Sequence, residues 1–143
     1  MDIRRHNSSM SEIAGSYSHA TIVNDLVFVS GQVAADAHHR TVVIGDIKDE
    51  TRAAMELIQL ILGELGLTLN DALKISIFMS NTDVYEDMNE VYSSFFPSRQ
   101  FPARTCVGVH KILCGCQIEI ECIAKFTSKA YPFFVTKYNK INA

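Results

Sequence analysis

The chain has 143 residues, 48% hydrophobic and 20% charged, with a formal net charge of -3 and a pI near 5.9. That is enough chain for one domain with a real core and too little for two. The acidic balance argues against an affinity built on neutralising phosphates, and no apolar run is long enough to cross a bilayer.

Residues 1–12 are mostly polar and charged and lack the apolar centre of a signal peptide. Thr21-Ile22-Val23 and Leu26-Val27-Phe28-Val29 are β-rich runs separated by Asn24-Asp25, two residues that tolerate turn conformations, so a hairpin is expected. Ser30-Gly31-Gln32 follows, where glycine lets the backbone kink or approach a ligand. Residues 36–40 read as a loop. Over 46–66, Ala54, Leu57, Ile58, Ile61, Leu62 and Leu65 recur at helical spacing, and Gly66 suits the stop. Leu73, Ile75, Ile77 and Met79 alternate with Lys74, Ser76 and Phe78, a strand pattern. A second helix is expected over 83–96, with Tyr85, Met88, Tyr92, Phe95 and Phe96 on one face and Pro97 ending it. Residues 105–111 and 117–125 read as strands.

The order β-β-α-β-α-β-β has too few helices to clothe both faces of a sheet. The expected class is α+β, a mixed sheet with both helices on one face. In a chain this short, another copy of the chain is the expected cover for the second face. Residues 1–126 form the expected domain. Residues 127–143 form a C-terminal extension whose Tyr131, Phe133, Phe134 and Tyr138 are expected to dock on this chain or a neighbour. The four cysteines, Cys106, Cys114, Cys116 and Cys122, crowd into the last third, unlike a secreted disulfide scaffold, so a cytoplasmic protein with reduced thiols is expected.

Several residues carry possible chemistry. Arg104 stands where a loop enters a strand and could grip a carboxylate through two parallel hydrogen bonds. Taken singly, a surface ion pair is the commoner role for such an arginine. Glu119 and Glu121 lie two apart, on one strand face, with Ile118, Ile120 and Cys122 on the other. They suit acid/base work or, more often, a solvated face. Cys114-Gly115-Cys116 with His110 upstream lacks the second ligand pair of a structural zinc site, unless distant His38-His39 supplies it. A plain turn is the simpler reading. Cys106 as a nucleophile would need a base and a lowered pKa, and a buried small cysteine is its default role. Asn89 falls on the apolar face of the second helix, beside Tyr85 and Tyr92, where its amide needs partners. Tyr17 is a packing residue or a phenolic lid.

Five strings in order resemble the RidA/YjgF family of reactive-intermediate deaminases, also labelled endoribonuclease L-PSP. They are Gly15-Ser16-Tyr17-Ser18-His19-Ala20, Val29-Ser30-Gly31-Gln32, Met88-Asn89-Glu90-Val91-Tyr92 with Phe95-Phe96, Phe101-Pro102-Ala103-Arg104-Thr105-Cys106-Val107, and Ile118-Glu119-Ile120-Glu121-Cys122-Ile123-Ala124. The resemblance spans about residues 13–125. It implies a chorismate-mutase-like fold assembled as a homotrimer, with helices outside and clefts between subunits. It implies hydrolysis of 2-enamino and 2-imino acids to 2-oxo acids and ammonia, with no cofactor and no metal. Arg104 would bind the substrate carboxylate, Glu119 would hold the attacking water, and Tyr17 would close over the ligand. Ser30, Gly31, Asn89 and Cys106 would line the cleft.

The chain departs from the family pattern at Ser16, His38-His39-Arg40, Leu57, Asn81 and Leu113-Cys114, and none of these removes the implied catalytic set. Two other functions compete. A small-carboxylate-binding regulatory trimer would also keep Arg104, but it has no need of Glu119. A ribonuclease or translation inhibitor is disfavoured by the acidic balance and the absence of paired catalytic histidines, so a small-molecule partner is expected and nucleic acid is disfavoured; no membrane partner is expected.

Overall fold

The structure is a computed structural model that describes residues 2–9 and 15–126. The aromatic extension over 127–143 lies outside the described residues. Six strands, β1 (Ile3–His6), β2 (Ala20–Val23), β3 (Leu26–Val33), β4 (Ala72–Met79), β5 (Ala103–Gly108) and β6 (Ile118–Lys125), form one sheet in the order β1-β2-β3-β6-β4-β5. All pairs are antiparallel except β4 with β5. Helices α1 (Ile47–Glu64) and α2 (Tyr85–Ser94) complete the α+β fold, with α1 packed on β3, β6 and α2. Neither is long and apolar enough to cross a membrane.

Local chemistry explains the elements. Asn24 takes φ 53° between β2 and β3, the left-handed conformation an Asn tolerates best after glycine. Asp46 caps α1, its carboxylate accepting from the Lys48 and Asp49 amides at 2.9 and 3.1 Å. Gly66, at φ 77°, ends that helix, and the Leu67 amide donates back to the Leu62 carbonyl. All six apolar positions expected to face the core from α1 are buried, and Met55 joins them. Ala54, Met55, Ile58, Ile61, Leu62 and Leu65 share one core cluster with Ile75, Ile77 and Met79 of β4 and Ile118, Ile120, Cys122 and Ala124 of β6.

Glu50 is fully buried in the first turns of α1. Its carboxylate accepts from the Gly45 amide at 2.7 Å and the Gln117 amide at 2.6 Å. It thereby ties the entry of β6 to α1 with charge-assisted bonds. Among the described residues, the opposite face of the sheet carries no helix. It presents Phe28, Phe78, Val107 and Ile123, with Phe28 41% exposed.

The structure differs from the sequence reading in four places. β1 is an additional strand whose residues Arg4, Arg5 and His6 give it no apolar pattern; backbone pairing with β2 makes it. Leu73 points to solvent because the β4–β6 register shifts between Ala72 and Lys74, so it occupies the bulge and leaves the alternation. β5 begins at Ala103 and ends at Gly108, set by its parallel pairing with Lys74 to Met79. A 3-10 turn over Thr82–Val84, capped by Asn81, precedes α2.

His19 is 1% exposed, and its Nδ1 accepts the Ser8 N–H at 2.9 Å. Burial first, then the nearby His6, lowers its pKa from 6.5. The neutral ring's contribution to stability is therefore complete above pH 6.5. It declines as pH falls below 6.5, where the unfolded chain takes up the proton first. Urea denaturation between about pH 7.5 and 5.5 is expected to show a falling midpoint, and the fall should be shallower in His19→Gln.

Candidate functional site

Arg104 pairs with Ile75 across the β4–β5 ladder, and Cys106 with Ile77. Residues opposite one another in a ladder point to the same face, so both project toward the helices. There Arg104 meets α2. Its Nη1 donates to Asn89 Oδ1 at 2.8 Å and its Nη2 to the Tyr85 hydroxyl at 2.6 Å. The guanidinium carbon lies 4.7 Å from the Tyr92 ring centroid and 5.7 Å from that of Tyr85. Tyr85, Asn89 and Tyr92 form one helix stripe, so a single face of α2 supplies two oxygen acceptors and two aromatic faces. Burial pushes the Tyr92 phenol up to about 12, which keeps it neutral beside the cation.

A guanidinium has five N–H donors, and these bonds engage two. Among the described residues no carboxylate pairs with Arg104. It opens on a pocket of about 290 Å³ lined also by Asn89, Tyr92, Ser93, Arg99 and Phe101. Cys106 Sγ donates to Met79 Sδ at 3.7 Å. Burial raises the thiol's pKa, with Arg104 pulling the other way, so the neutral thiol is the favoured form.

The second group lies on the other face. Along β6, Ile118, Ile120 and Cys122 are buried against the helices, and Glu119 and Glu121 turn away from them. Glu119 sits opposite Phe78, which in turn sits opposite Val107, so its carboxylate has apolar neighbours along the row. The β3–β6 register shifts between Val29 and Gln32, which makes Ser30-Gly31 a bulge. A Cβ on Gly31 would collide with Glu119 Oε1 and lie 2.8 Å from its Cδ, so only glycine leaves room for this carboxylate. Ser30 Oγ donates to the Ser18 carbonyl at 2.6 Å, and the Ser30 amide donates to the His19 carbonyl at 2.9 Å. These bonds hold the Tyr17 segment beside the bulge. Burial, then the charges of Asp36, Glu119 and Cys114, raise the Tyr17 pKa. Burial, then Glu121 and Asp36, raise that of Glu119.

The expected site residues thus fall into two clusters. Arg104, Asn89 and Cys106 share the helix side, and Tyr17, Ser30, Gly31 and Glu119 gather on the open side. Cys114-Gly115 forms a turn, at φ 57° and 71°. Among the described residues no three His, Cys, Asp or Glu side chains gather as a metal-binding group. Tyr85 and Tyr92 read as core in the sequence, and they pack in or against it; their added role beside Arg104 is signalled only by their spacing around Asn89. Asp36 reads as a loop residue, and nothing local places that carboxylate beside Glu119.

The chain matches the model of the Endoribonuclease L-PSP family over residues 8–126. It is 39% identical over 110 residues to a RutC family protein of Pyrococcus abyssi, covering 77% of this chain and 86% of the relative. It is 34% identical over 109 residues to the 2-iminobutanoate/2-iminopropanoate deaminase of Dermatophagoides farinae, covering 76% and 84%. The crystal structure of Escherichia coli TdcF with bound serine superposes with a TM-score of 0.79 at 27% identity, over 87% of this chain and 99% of TdcF.

Gly31→Ala is expected to expel the Glu119 carboxylate from its present position with the fold intact, because the colliding atoms belong to a flexible side chain. A crystal structure of that variant with Glu119 unmoved would contradict this packing.

Proposed function

The chain belongs to the Endoribonuclease L-PSP family, and from that membership together with the site's geometry we propose that it hydrolyses 2-imino acids, and the enamines that tautomerise to them, to 2-oxo acids and ammonia. The observation that carries this reading is Arg104: a half-buried guanidinium, held by two neutral oxygens and two aromatic faces, open to a pocket and without a carboxylate among the described residues. Such a cation is a receptor for a substrate carboxylate. The deaminase from Dermatophagoides farinae acts, by its name, on 2-imino acids of this kind.

In this reading the carboxylate on Arg104 orients the imine carbon. A water held by Glu119 adds to that carbon, and its proton passes to the glutamate. Returned to nitrogen, that proton completes a carbinolamine; a second transfer by the same route, from the new hydroxyl through Glu119 to nitrogen, lets the C–N bond break and ammonia leave, with the water oxygen kept as the carbonyl. The raised pKa of Glu119 suits a group that both takes and returns a proton. The neutral thiol of Cys106 is a poor nucleophile and has no step here.

Within one chain the sheet separates Arg104 from Glu119. A single substrate reaches both only when a second copy brings its Glu119 face to the Arg104 pocket. The family resemblance implies a homotrimer with three clefts between subunits, and this separation is what such clefts would bridge. The exposed Phe28 and Val107 on the open face support burial against copies of the chain. Sedimentation at micromolar concentration is expected to give three chains per particle, and a stable monomer would overturn the composite site.

Arg104→Ala is expected to lose about 2–5 kcal/mol of transition-state stabilisation with the fold kept, and Arg104→Lys to recover little. Glu119→Gln should lose about 10²–10⁴-fold in kcat while still binding a 2-oxo acid, and Cys106→Ser should stay active. A coupled assay, in which a dehydratase generates 2-aminoacrylate and pyruvate release is timed, checks all four variants. An active Glu119→Gln beside a dead Cys106→Ser would replace the water mechanism with thiolate attack.

The pH profile supplies a separate check. Activity should fall as pH drops through the raised Glu119 value, because the carboxylate form takes the water proton. Glu121→Gln removes a charge that raises that value, so the acid limb should move to lower pH. A limb that stays in place would show that another group controls it.

A further inference from the structure

The pocket beside Arg104 contains a second guanidinium. Arg99 also lines it. Tyr92 and Phe96 ring centroids are 5.1 Å apart, and those of Phe96 and Phe101 are 5.7 Å apart. The Arg104 guanidinium lies over Tyr92 at 4.7 Å and that of Arg99 over Phe101 at 5.7 Å. Two cations therefore line one small cavity, each over one of its two lining rings, Tyr92 and Phe101, with core Phe96 packed behind both. Neither pairs with a carboxylate among the described residues. Of the three acids of α2, Glu86, Asp87 and Glu90, the last two are engaged by Lys48, at 3.4 and 2.7 Å.

The backbone at Arg99 also departs from the ordinary. It takes φ 58°, with its amide donating to the Phe96 carbonyl at 2.9 Å around the turn at Pro97-Ser98. Glycine would sit there without strain, and an arginine does not. An unfavourable backbone state that delivers a charged group to a cavity is a feature of ligand sites.

We propose that this pocket selects 2-imino acids whose side chain ends in a second carboxylate, with Arg104 taking the 2-carboxylate and Arg99 the terminal one. The carbon chain between them lies along the Tyr92 and Phe101 rings, where its methylenes leave water. Like-charged guanidiniums lining one cavity favour a dianion over a monoanion, since each otherwise faces the other's field uncompensated. This inference rests on the deaminase reading for its imine and on the pocket alone for its second anion, and the two are separable by experiment.

The probes are 2-oxoadipate and 2-oxohexanoate, which have the same carbon count and differ in the terminal carboxylate. Calorimetry on the wild-type protein is expected to show 2-oxoadipate bound about tenfold or more tightly. Arg99→Gln should erase that preference and leave 2-oxohexanoate nearly unchanged, and Arg99→Lys should keep part of it. Equal affinities in the wild type, a preference that survives Arg99→Gln, or no binding of either acid would each overturn the proposal. Turnover of the two corresponding imino acids, generated by an amino-acid oxidase, is measured alongside. Turnover of neither imine, with the binding preference present, would sink the deaminase reading and leave the two-anion pocket standing. Turnover of both at equal rates, with no dependence on Arg99, would do the reverse.

Discussion

A β-strand turns successive side chains to opposite faces, and a sheet two side-chain layers thick has no path through it for a small molecule. On β5 and β6 that alternation has a specific consequence. The row Cys106, Ile77 and Ile120 lies under the helices, and the next row, Val107, Phe78 and Glu119, lies on the bare face. Arg104 shares the parity of Cys106 and so belongs to the helix side. The cation and the carboxylate that the proposed chemistry needs are therefore held apart by the core. This separation, together with the exposed apolar residues of the open face, is what supports the proposed assembly, in which a second copy of the chain brings the two together.

The two half-sites are built by different means. Arg104 is oriented by α2, through an amide oxygen, a phenol oxygen and two ring faces, all neutral. An internal carboxylate in their place would compete with any acidic ligand, whereas neutral acceptors fix the fork and leave its charge available. Glu119 is oriented by close backbone approach. The β3 bulge brings Gly31 against its carboxylate, and the Ser30 bonds hold the Tyr17 segment alongside. Burial and two neighbouring acids then raise its proton affinity.

Glu50 links these arrangements to the core. Its buried carboxylate accepts two backbone amides, one before α1 and one at the entry to β6. The register of β6, and with it the side of the sheet on which Glu119 emerges, is anchored to a helix packed by Ile58, Ile61 and Leu62. A charge buried without these donors would be costly, so the loop and the strand entry are held together strongly. The stability of the fold and the geometry of the site thus share one interaction.

Local pattern was sufficient wherever a segment's neighbours along the chain decide its state. The helical spacing of Ala54 to Leu65, the Asn24 turn, the strand alternation of Ile118 to Cys122, and the grouping of Asn89 with Tyr85 and Tyr92 were all legible, because each depends on a short period or on one backbone conformation. The motif order also identified the family and, with it, Arg104 and Glu119 as the residues to watch. What stayed hidden depends on strand pairing. β1 has no apolar period to reveal it, and Leu73 leaves the alternation only because β4 slips against β6. Asp36 approaches Glu119, and Arg99 joins Arg104 in one pocket, through contacts between segments that the sequence lists far apart or in no evident relation. That Arg104 and Glu119 occupy opposite faces required the parallel register of β4 with β5 and the antiparallel register of β4 with β6, since parity within one strand says nothing about parity in another until the ladder joins them.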